Sequence, residues 1–256
     1  MIELQGIGKA FRKGKEEVRA VSGVDLQIAP RSIVALIGPS GCGKSTLLNM
    51  IAGLYPPSEG RIIYQGNRVS DVNTDVGYMT QKDNLLPWRT VLDNVAMPLE
   101  ISGQPQAERY EAARAMIREV GLEGFEGKYS SELSGGMRKR VCLARMLLYE
   151  PKALLLDEPF AALDAQLRIA MHALLLRLWE ANQQTIVLVT HDLIEAITLA
   201  DRVVVFSRRP ARITHDQIID IPRPRDVMEV RFTERFHEIH NAIWDRLREE
   251  YVEEKI

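Results

Sequence analysis

Residues 38–46 read GPSGCGKST, and their types and spacing describe a place for phosphate. Gly38, Gly41 and Gly43 let backbone N–H groups converge on anionic oxygens, and the helix expected to follow adds its positive end. Lys44 is spaced to reach the β- and γ-phosphates of a nucleoside triphosphate, and the Ser45 hydroxyl to ligate Mg²⁺. Pro39, Ser40, Cys42 and Thr46 complete the loop around the phosphates. The run SIVALIG before it reads as a strand and KSTLLNMIAGL after it as a helix, the context this spacing needs.

A second group follows at ALLLDEP, residues 153–159, where a buried strand should end in Asp157 and Glu158. In an open α/β sheet, ligands bind outside the carboxyl ends of the strands. Asp157 is then placed to hold the Mg²⁺ shell, and Glu158 to polarise an attacking water as general base. LVTHD ends another apolar run in His191, whose imidazole could bond the γ-phosphate and hold the water's geometry. LSGGM contributes Ser134, Gly135 and Gly136 at what reads as a helix start, a second arrangement suited to phosphate. One nucleotide does not need two cradles.

The elements that must position these groups are legible in outline. RSIVALIG (31–38), KALLLDEP (152–159) and TIVLVTHD (185–192) are short apolar runs, the pattern of parallel strands buried on both faces. Ile2–Ile7, Val24–Ile28 and Arg61–Tyr64 alternate, which predicts an antiparallel sheet with one wetter face. Residues 83–151 turn helical: Thr90 is a candidate N-cap, Pro98 a candidate kink, Gly103 and Gly121 are stop signals, and a last helix runs to Pro151. Strands resume afterwards, so this block reads as an insertion. From Asp220 a stiff IPRPRD connector leads to Phe232, Phe236, Ile239, Ile243 and Leu247 at helical spacing, an amphipathic helix expected to fold back on the core.

With 256 residues, 46% hydrophobic and 27% charged, the chain has the composition of a globular protein large enough for a full core. A formal net charge of −2 offers no basic field for nucleic acid. No apolar run is long enough to span a bilayer, the amino terminus lacks a signal peptide's apolar block, and two cysteines make no disulfide framework. The expected compartment is the cytosol.

In this order the motifs resemble the ATP-binding subunits of ABC transporters over essentially the whole chain: GPSGCGKST the Walker A loop, ALLLDEP Walker B, LSGGM the signature. YMTQ ending at Gln81 looks like the Q-loop, AALD ending at Asp164 the D-loop, and His191 the switch histidine. The resemblance implies an α/β fold, a P-loop NTPase (RecA-like) parallel-sheet core with an antiparallel β subdomain and an α-helical subdomain inserted at about 83–151. It also implies an ATP-binding domain over 1–220 and a connector with an amphipathic helix over 221–256. Its cofactors are ATP and Mg²⁺. Gln81 would serve the metal and the reacting water, Phe11 in IGKAF would stack on adenine, and Asp164 would lie at the nucleotide.

The two cradles are reconciled by a head-to-tail homodimer, in which Ser134, Gly135 and Gly136 of one chain cap the ATP held by the other. Met137 departs from the family, where Gln is commonest. Cys42 reads as loop filler whose alkylation bound ATP should slow, and Cys142 as a buried small residue. NLLPWRTVLDNVAMPLE, RVVVFSRRPARI and PRPRD are similar to the ATPases of bacterial importers for nitrate, sulfonates and taurine. That likeness implies two integral-membrane permease subunits, an extracytoplasmic solute-binding protein, and a peripheral position on the cytoplasmic face of the inner membrane. Leu85, Leu86, Pro87 and Trp88 are the expected permease contact. A soluble ABC ATPase of DNA repair or translation would carry fused cassettes, coiled-coil insertions or zinc-binding cysteines. A P-loop kinase for a small metabolite would leave LSGGM without a purpose.

Overall fold

A computed structural model describes residues 1–14 and 16–252; residues 253–256, the end of the expected 221–256 unit, lie outside the described residues. In chain order the elements are β1 (Ile2–Lys13), β2 (Glu16–Ile28), β3 (Ile33–Ile37), α1 (Lys44–Ile51), β4 (Glu59–Tyr64), β5 (Asn67–Arg68) and β6 (Val76–Met79). The inserted helices are α2 (Val91–Ile101), α3 (Gln106–Glu119) and α4 (Gly135–Tyr149). Then come β7 (Ala153–Asp157), α5 (Ala165–Asn182), β8 (Thr185–Val189), α6 (Leu193–Leu199), β9 (Arg202–Phe206), β10 (Ile213–Ile218) and α7 (Glu234–Val252).

The central sheet has six strands in the order β10-β9-β3-β8-β7-β6. β9, β3, β8, β7 and β6 are parallel, and β10 closes one edge antiparallel to β9. Every residue of β3, β7 and β8 is buried, because each face has its own cover. Ile33, Ala35, Ile37, Leu154, Leu156, Ile186 and Leu188 point into the cluster shared with α2 to α7. Their alternates Val34, Leu36, Ala153, Leu155, Val187 and Val189 point into the cluster shared with α1 and the second sheet. That second sheet, β2-β1-β4-β5, is antiparallel, as the alternating segments predict. The short β6 and the strands β9 and β10 were not singled out by sequence; β6 has four residues, too few for a periodicity to register.

Local signals act where expected. Thr90 caps α2 with a reciprocal Asp93 capping box, the helix runs on through Pro98, and Gly103 follows it in the left-handed region at φ 82°. α4 begins at Ser134, whose hydroxyl accepts from the Met137 N–H, and stops at Glu150 in the left-handed region before Pro151. On α7, Phe236, Ile239, Ile243 and Leu247 are buried in the α2–α7 cluster, whereas Phe232 is 65% exposed in a 3₁₀ turn ahead of the helix.

IPRPRD is more than a stiff connector. Arg225 is buried, and its guanidinium donates to the carbonyls of Ile197, Thr198 and Ala200 at the end of α6 and to those of Ile219 and Ile221. Burial pushes its pKa down to about 10, still charged at neutral pH. Arg223 bonds Asp201 and the Leu199 carbonyl, with its guanidinium 4.2 Å from the centre of the Trp179 ring. Replacing Arg225 with Met orphans this set of buried carbonyls. We expect the variant to lose about 3 kcal/mol or more of stability, read as a lower urea midpoint with unchanged m.

Candidate active site

The parallel strands all end on the same side of the sheet, and the residues that follow them meet there. After β3 the chain turns through Gly38 and Gly43, and neither position has room for a side chain. A Cβ on Gly38 would lie 2.6 Å from the Phe206 carbonyl oxygen, and one on Gly43 2.6 Å from that of Ala20. α1 starts at this turn with no side chain capping its first N–H groups, which leaves them for an anion. Lys44 is buried against the loop: its Nζ donates to the Gly38 and Pro39 carbonyls at 2.7 and 2.8 Å, and lies 3.5 Å from Cys42 Sγ. These carbonyls satisfy an ammonium that burial would otherwise penalise. Pro39, Ser40 and Thr46 lie in the same turn and first helical turn, and Cys42 is buried inside it.

Asp157, the last residue of β7, is buried, and its Oδ1 has no hydrogen-bond partner. Burial pushes this carboxyl above the ordinary carboxylate range; the Ser45 hydroxyl pulls it down, neighbouring Glu158 pushes it up, and Lys139 and Lys44 pull it down. An orphaned buried carboxylate oxygen beside a serine hydroxyl is a partial ligand set for a hard divalent cation. Among the described residues no group of three or more His, Cys, Asp or Glu could hold a metal alone. That suits Mg²⁺, which takes one or two protein oxygens and fills its shell with phosphate and water. The residues present fit that ion.

Glu158 leaves the strand in the left-handed region at φ 50°, a conformation that costs a non-glycine residue about 1 kcal/mol or more. Its N–H donates to the Val189 carbonyl, so β8 holds the turn. The carboxylate thereby faces two groups from neighbouring strand ends: Gln81 Nε2 donates to Oε2 at 3.3 Å, and His191 Nδ1 lies 3.6 Å from Oε1. Three residues chosen from separate motifs thus form one cluster.

Other expected residues sit elsewhere. Ser134 and Gly135 cap and open α4, and a Cβ on Gly136 would lie 3.1 Å from the Ala162 carbonyl oxygen and 3.3 Å from Leu163. Asp164 is exposed and its Oδ1 caps α5 through the Leu167 N–H. Met137 packs against the main core, a use that a long apolar side chain serves better than an amide. Phe11 is exposed on β1, edge-on to Tyr55 at 6.0 Å, with Lys9 Nζ 5.3 Å from its ring. Cys142 is buried, and desolvation pushes its thiol up to about 11.

Four charged residues that bond to this region escaped the sequence reading. Lys139 of α4 donates to the Gln81 carbonyl and lies 3.6 Å from Asp83, while Arg138 bonds Asp83 at 2.9 Å. Arg168 joins the Leu163 carbonyl to Asp192, the cap of α6 that follows His191. Arg209 bonds the Gly41 carbonyl. Nothing local marks these residues, because each acts across a fold contact far along the chain.

The expected permease contact is only partly apolar surface. Trp88 is 71% exposed, but Leu85 and Leu86 are half-buried. An apolar groove of about 500 Å³ lies between α2, α4 and the β6 edge of the central sheet, lined by Leu54, Val72, Tyr78, Met97, Ile101 and Tyr149. Ile101 is 78% exposed there.

A strand–loop–helix phosphate cradle at the carboxyl edge of a parallel sheet, with an acidic residue ending β7, the next strand but one, defines the P-loop nucleoside triphosphatase fold. The comparisons narrow this. The ABC transporter family profile matches residues 21–161. The taurine import ATP-binding protein of Rhizobium johnstonii is 42% identical, over 91% of this chain and 90% of its own. The aliphatic sulfonates import ATP-binding protein of Bacillus cereus is 39% identical, over 94% of each chain. A solved dimeric ATP-binding cassette in a post-hydrolysis state with ADP and Pi superposes with a TM-score of 0.80 at 31% identity, covering 87% of this chain and 100% of that one. The chain belongs to the ABC transporter family, as an ATP-binding subunit that hydrolyses ATP.

The buried Asp157 yields a pH-dependent expectation. A carboxyl whose folded pKa is raised favours folding at low pH and opposes it once the pH passes the unfolded value and rises through the folded one. Asp157→Asn should therefore raise the nucleotide-free Tm at neutral pH, with the gain shrinking toward pH ~4, while the extra Tm conferred by Mg²⁺-ATP disappears. Thermal scans across that pH range, with and without Mg²⁺-ATP, check both halves.

Proposed function

We propose that this chain energises a bacterial-type importer of a small solute of the sulfonate, taurine or nitrate class, working as a homodimer beneath two integral-membrane permease subunits. The single observation that carries the dimeric reading is the position of the second cradle. Hydrogen bonds around the Ser134–Gly136 turn run within α4 and to Leu133 and Asp83, and its tight packing is against Ala162 and Leu163. None of these partners belongs to the 38–46 loop of the same chain. A second copy facing head to tail gives the turn a function, with its helix N-terminus and Ser134 aimed at the γ-phosphate held by the other chain.

In the bound state the loop N–H groups and the start of α1 take the phosphates, and the Lys44 ammonium exchanges the Gly38 and Pro39 carbonyls for β- and γ-phosphate oxygens. Ser45, Asp157 and Gln81 are the candidate holders of Mg²⁺, which would supply neutralising charge to the phosphates. Glu158 takes the proton of the attacking water. Gln81 and His191, 3.3 and 3.6 Å from its two oxygens, fix the carboxylate's direction and the water's line of attack. Phe11 offers a π-face to adenine, which favours ATP only modestly over GTP. Asp164, at the cap of α5, lies on the face that the second copy would cover.

Among the described residues no helix is long and apolar enough to cross a membrane, so the solute path belongs to partners. The groove lined by Met97, Ile101 and Tyr149 fits an apolar helix from a permease, and exposed Trp88 offers a separate apolar contact. The groove lies between the sheet and the helical insertion, so closing the dimer would pull on whatever fills it. The subunit is then peripheral to the cytoplasmic face of the membrane. An extracytoplasmic binding protein selects the solute, and nucleic acid has no part. The names of the taurine and aliphatic sulfonates relatives support the solute class.

Glu158→Gln is expected to retain ATP, to lower turnover by about 10²-fold or more, and to form an ATP-dependent dimer by light scattering. Adding Ser134→Arg should abolish that dimer while a single chain still binds nucleotide through its own loop. A Glu158→Gln protein that stays monomeric with bound ATP, or a wild-type chain turning over at full rate when too dilute to pair, contradicts the proposal.

A further inference from the structure

The turn between β9 and β10, residues 206–212, touches the phosphate loop at each of its three glycines. The Phe206 carbonyl faces Gly38, the Arg209 guanidinium faces Gly41, and the Ala211 methyl lies 3.2 Å from a Cβ position on Gly43. The turn is itself anchored. Ala211 exchanges backbone hydrogen bonds with Ala20 and Ser22 of β2, and the Ser207 hydroxyl donates to the Arg208 carbonyl while accepting from the Arg212 N–H. Arg208 bonds Glu250 near the end of α7. Two of the three contacts are backbone or methyl packing and cannot adjust. The third is a charged side chain.

Arg209 is exposed, and its Nε and Nη2 both donate to the Gly41 carbonyl, at 3.2 and 2.7 Å. A trans peptide sets its N–H opposite its C=O, so holding the Gly41 oxygen outward turns the Cys42 N–H inward. In this structure that N–H meets the Pro39 carbonyl at 3.3 Å, inside the loop. Gly41 sits at φ 70°, the left-handed region, where a glycine has other conformations within easy reach. Without an outside partner this peptide could flip and present an oxygen to the phosphates instead of a donor.

We propose that Arg209 is a positioning residue of the ATP site: its guanidinium locks the Gly41–Cys42 peptide with the donor facing the phosphates and the acceptor facing away. This rests on the reading of the 38–46 loop as the nucleotide cradle. Arg209 acts on the shape of the site before nucleotide arrives, so it governs ATP affinity and leaves the chemical step, which belongs to Glu158, nearly untouched. Cys42 lies in the same peptide and is buried when the loop is closed, so its thiol reports that shape.

The experiment measures ATP binding by the Mg²⁺-dependent change of a fluorescent ATP analogue, steady-state KM and kcat, and the alkylation rate of Cys42 without nucleotide, with Cys142 as internal reference by mass spectrometry. For Arg209→Ala and Arg209→Gln the expected result is a five- to twentyfold rise in Kd and KM, kcat within about twofold, and faster Cys42 labelling at unchanged Cys142 labelling. Arg209→Lys, which keeps a donor and the charge, should recover part of both affinity and protection. Unchanged affinity and labelling overturn the assignment, as does a fall in kcat at constant KM. Weaker binding with unchanged Cys42 labelling also overturns it, since that would be a pure charge effect. Wild-type protein that failed to bind the analogue would overturn the nucleotide-site reading itself, a separate outcome from normal binding in wild type and variants alike.

Discussion

A parallel strand buried on both faces can place polar groups only at its ends, because every side chain between them lies in one apolar cluster or the other. Three such strands, β3, β7 and β8, and the shorter edge strand β6 run the same way in neighbouring registers. Their carboxyl ends carry the phosphate loop, Gln81, Asp157 with Glu158, and His191. The geometry of the proposed catalytic cluster is therefore a consequence of strand register: Asp157 pairs with Val189, and the next residue, Glu158, bonds the same Val189 through its backbone. A slip of one residue would send Asp157 to the opposite face and dissolve the cluster.

The same constraint explains where the costs are concentrated. Asp157 is held with an unpartnered oxygen, and Glu158 occupies a left-handed backbone conformation. Each is unfavourable in a resting protein, and in the proposed function each serves a triphosphate with its cation. The rest of the fold offsets these costs with ordinary packing and with arginines that terminate helices, Arg225 at α6 being the most thoroughly bonded.

Long-range side chains join the site to the rest of the molecule. Lys139 and Arg138 tie α4 to the Gln81 loop, so a force on α4 reaches the proposed reacting cluster through two residues. Arg168 links the 161–164 loop to the cap of α6 beside His191. The turn at 206–212 ties the phosphate loop to β2 and to α7. In the proposed dimer the two cradles must respond to each other and need such connections, since a side chain in the sheet core has no freedom to transmit a shift.

By itself the sequence determined the parallel core, the antiparallel sheet and the capping of α2 and α4, and it suggested the chemistry of each motif. Those depend on side-chain type, on periodicities of 2 and 3.6, and on contacts within a few residues. It also pointed to Glu158 and His191 from their places at strand ends. Only the tertiary structure decided that Gln81 and His191 flank one carboxylate, that Trp88 is surface while Leu85 is half-buried, and that Phe232 leaves the helical stripe. The same holds for Arg138, Lys139, Arg168, Arg209 and Arg225, whose partners are carbonyls and carboxylates brought near by the fold. A guanidinium that bonds a backbone oxygen 168 residues away leaves no local pattern, because one carbonyl looks like any other until the chain has folded around it.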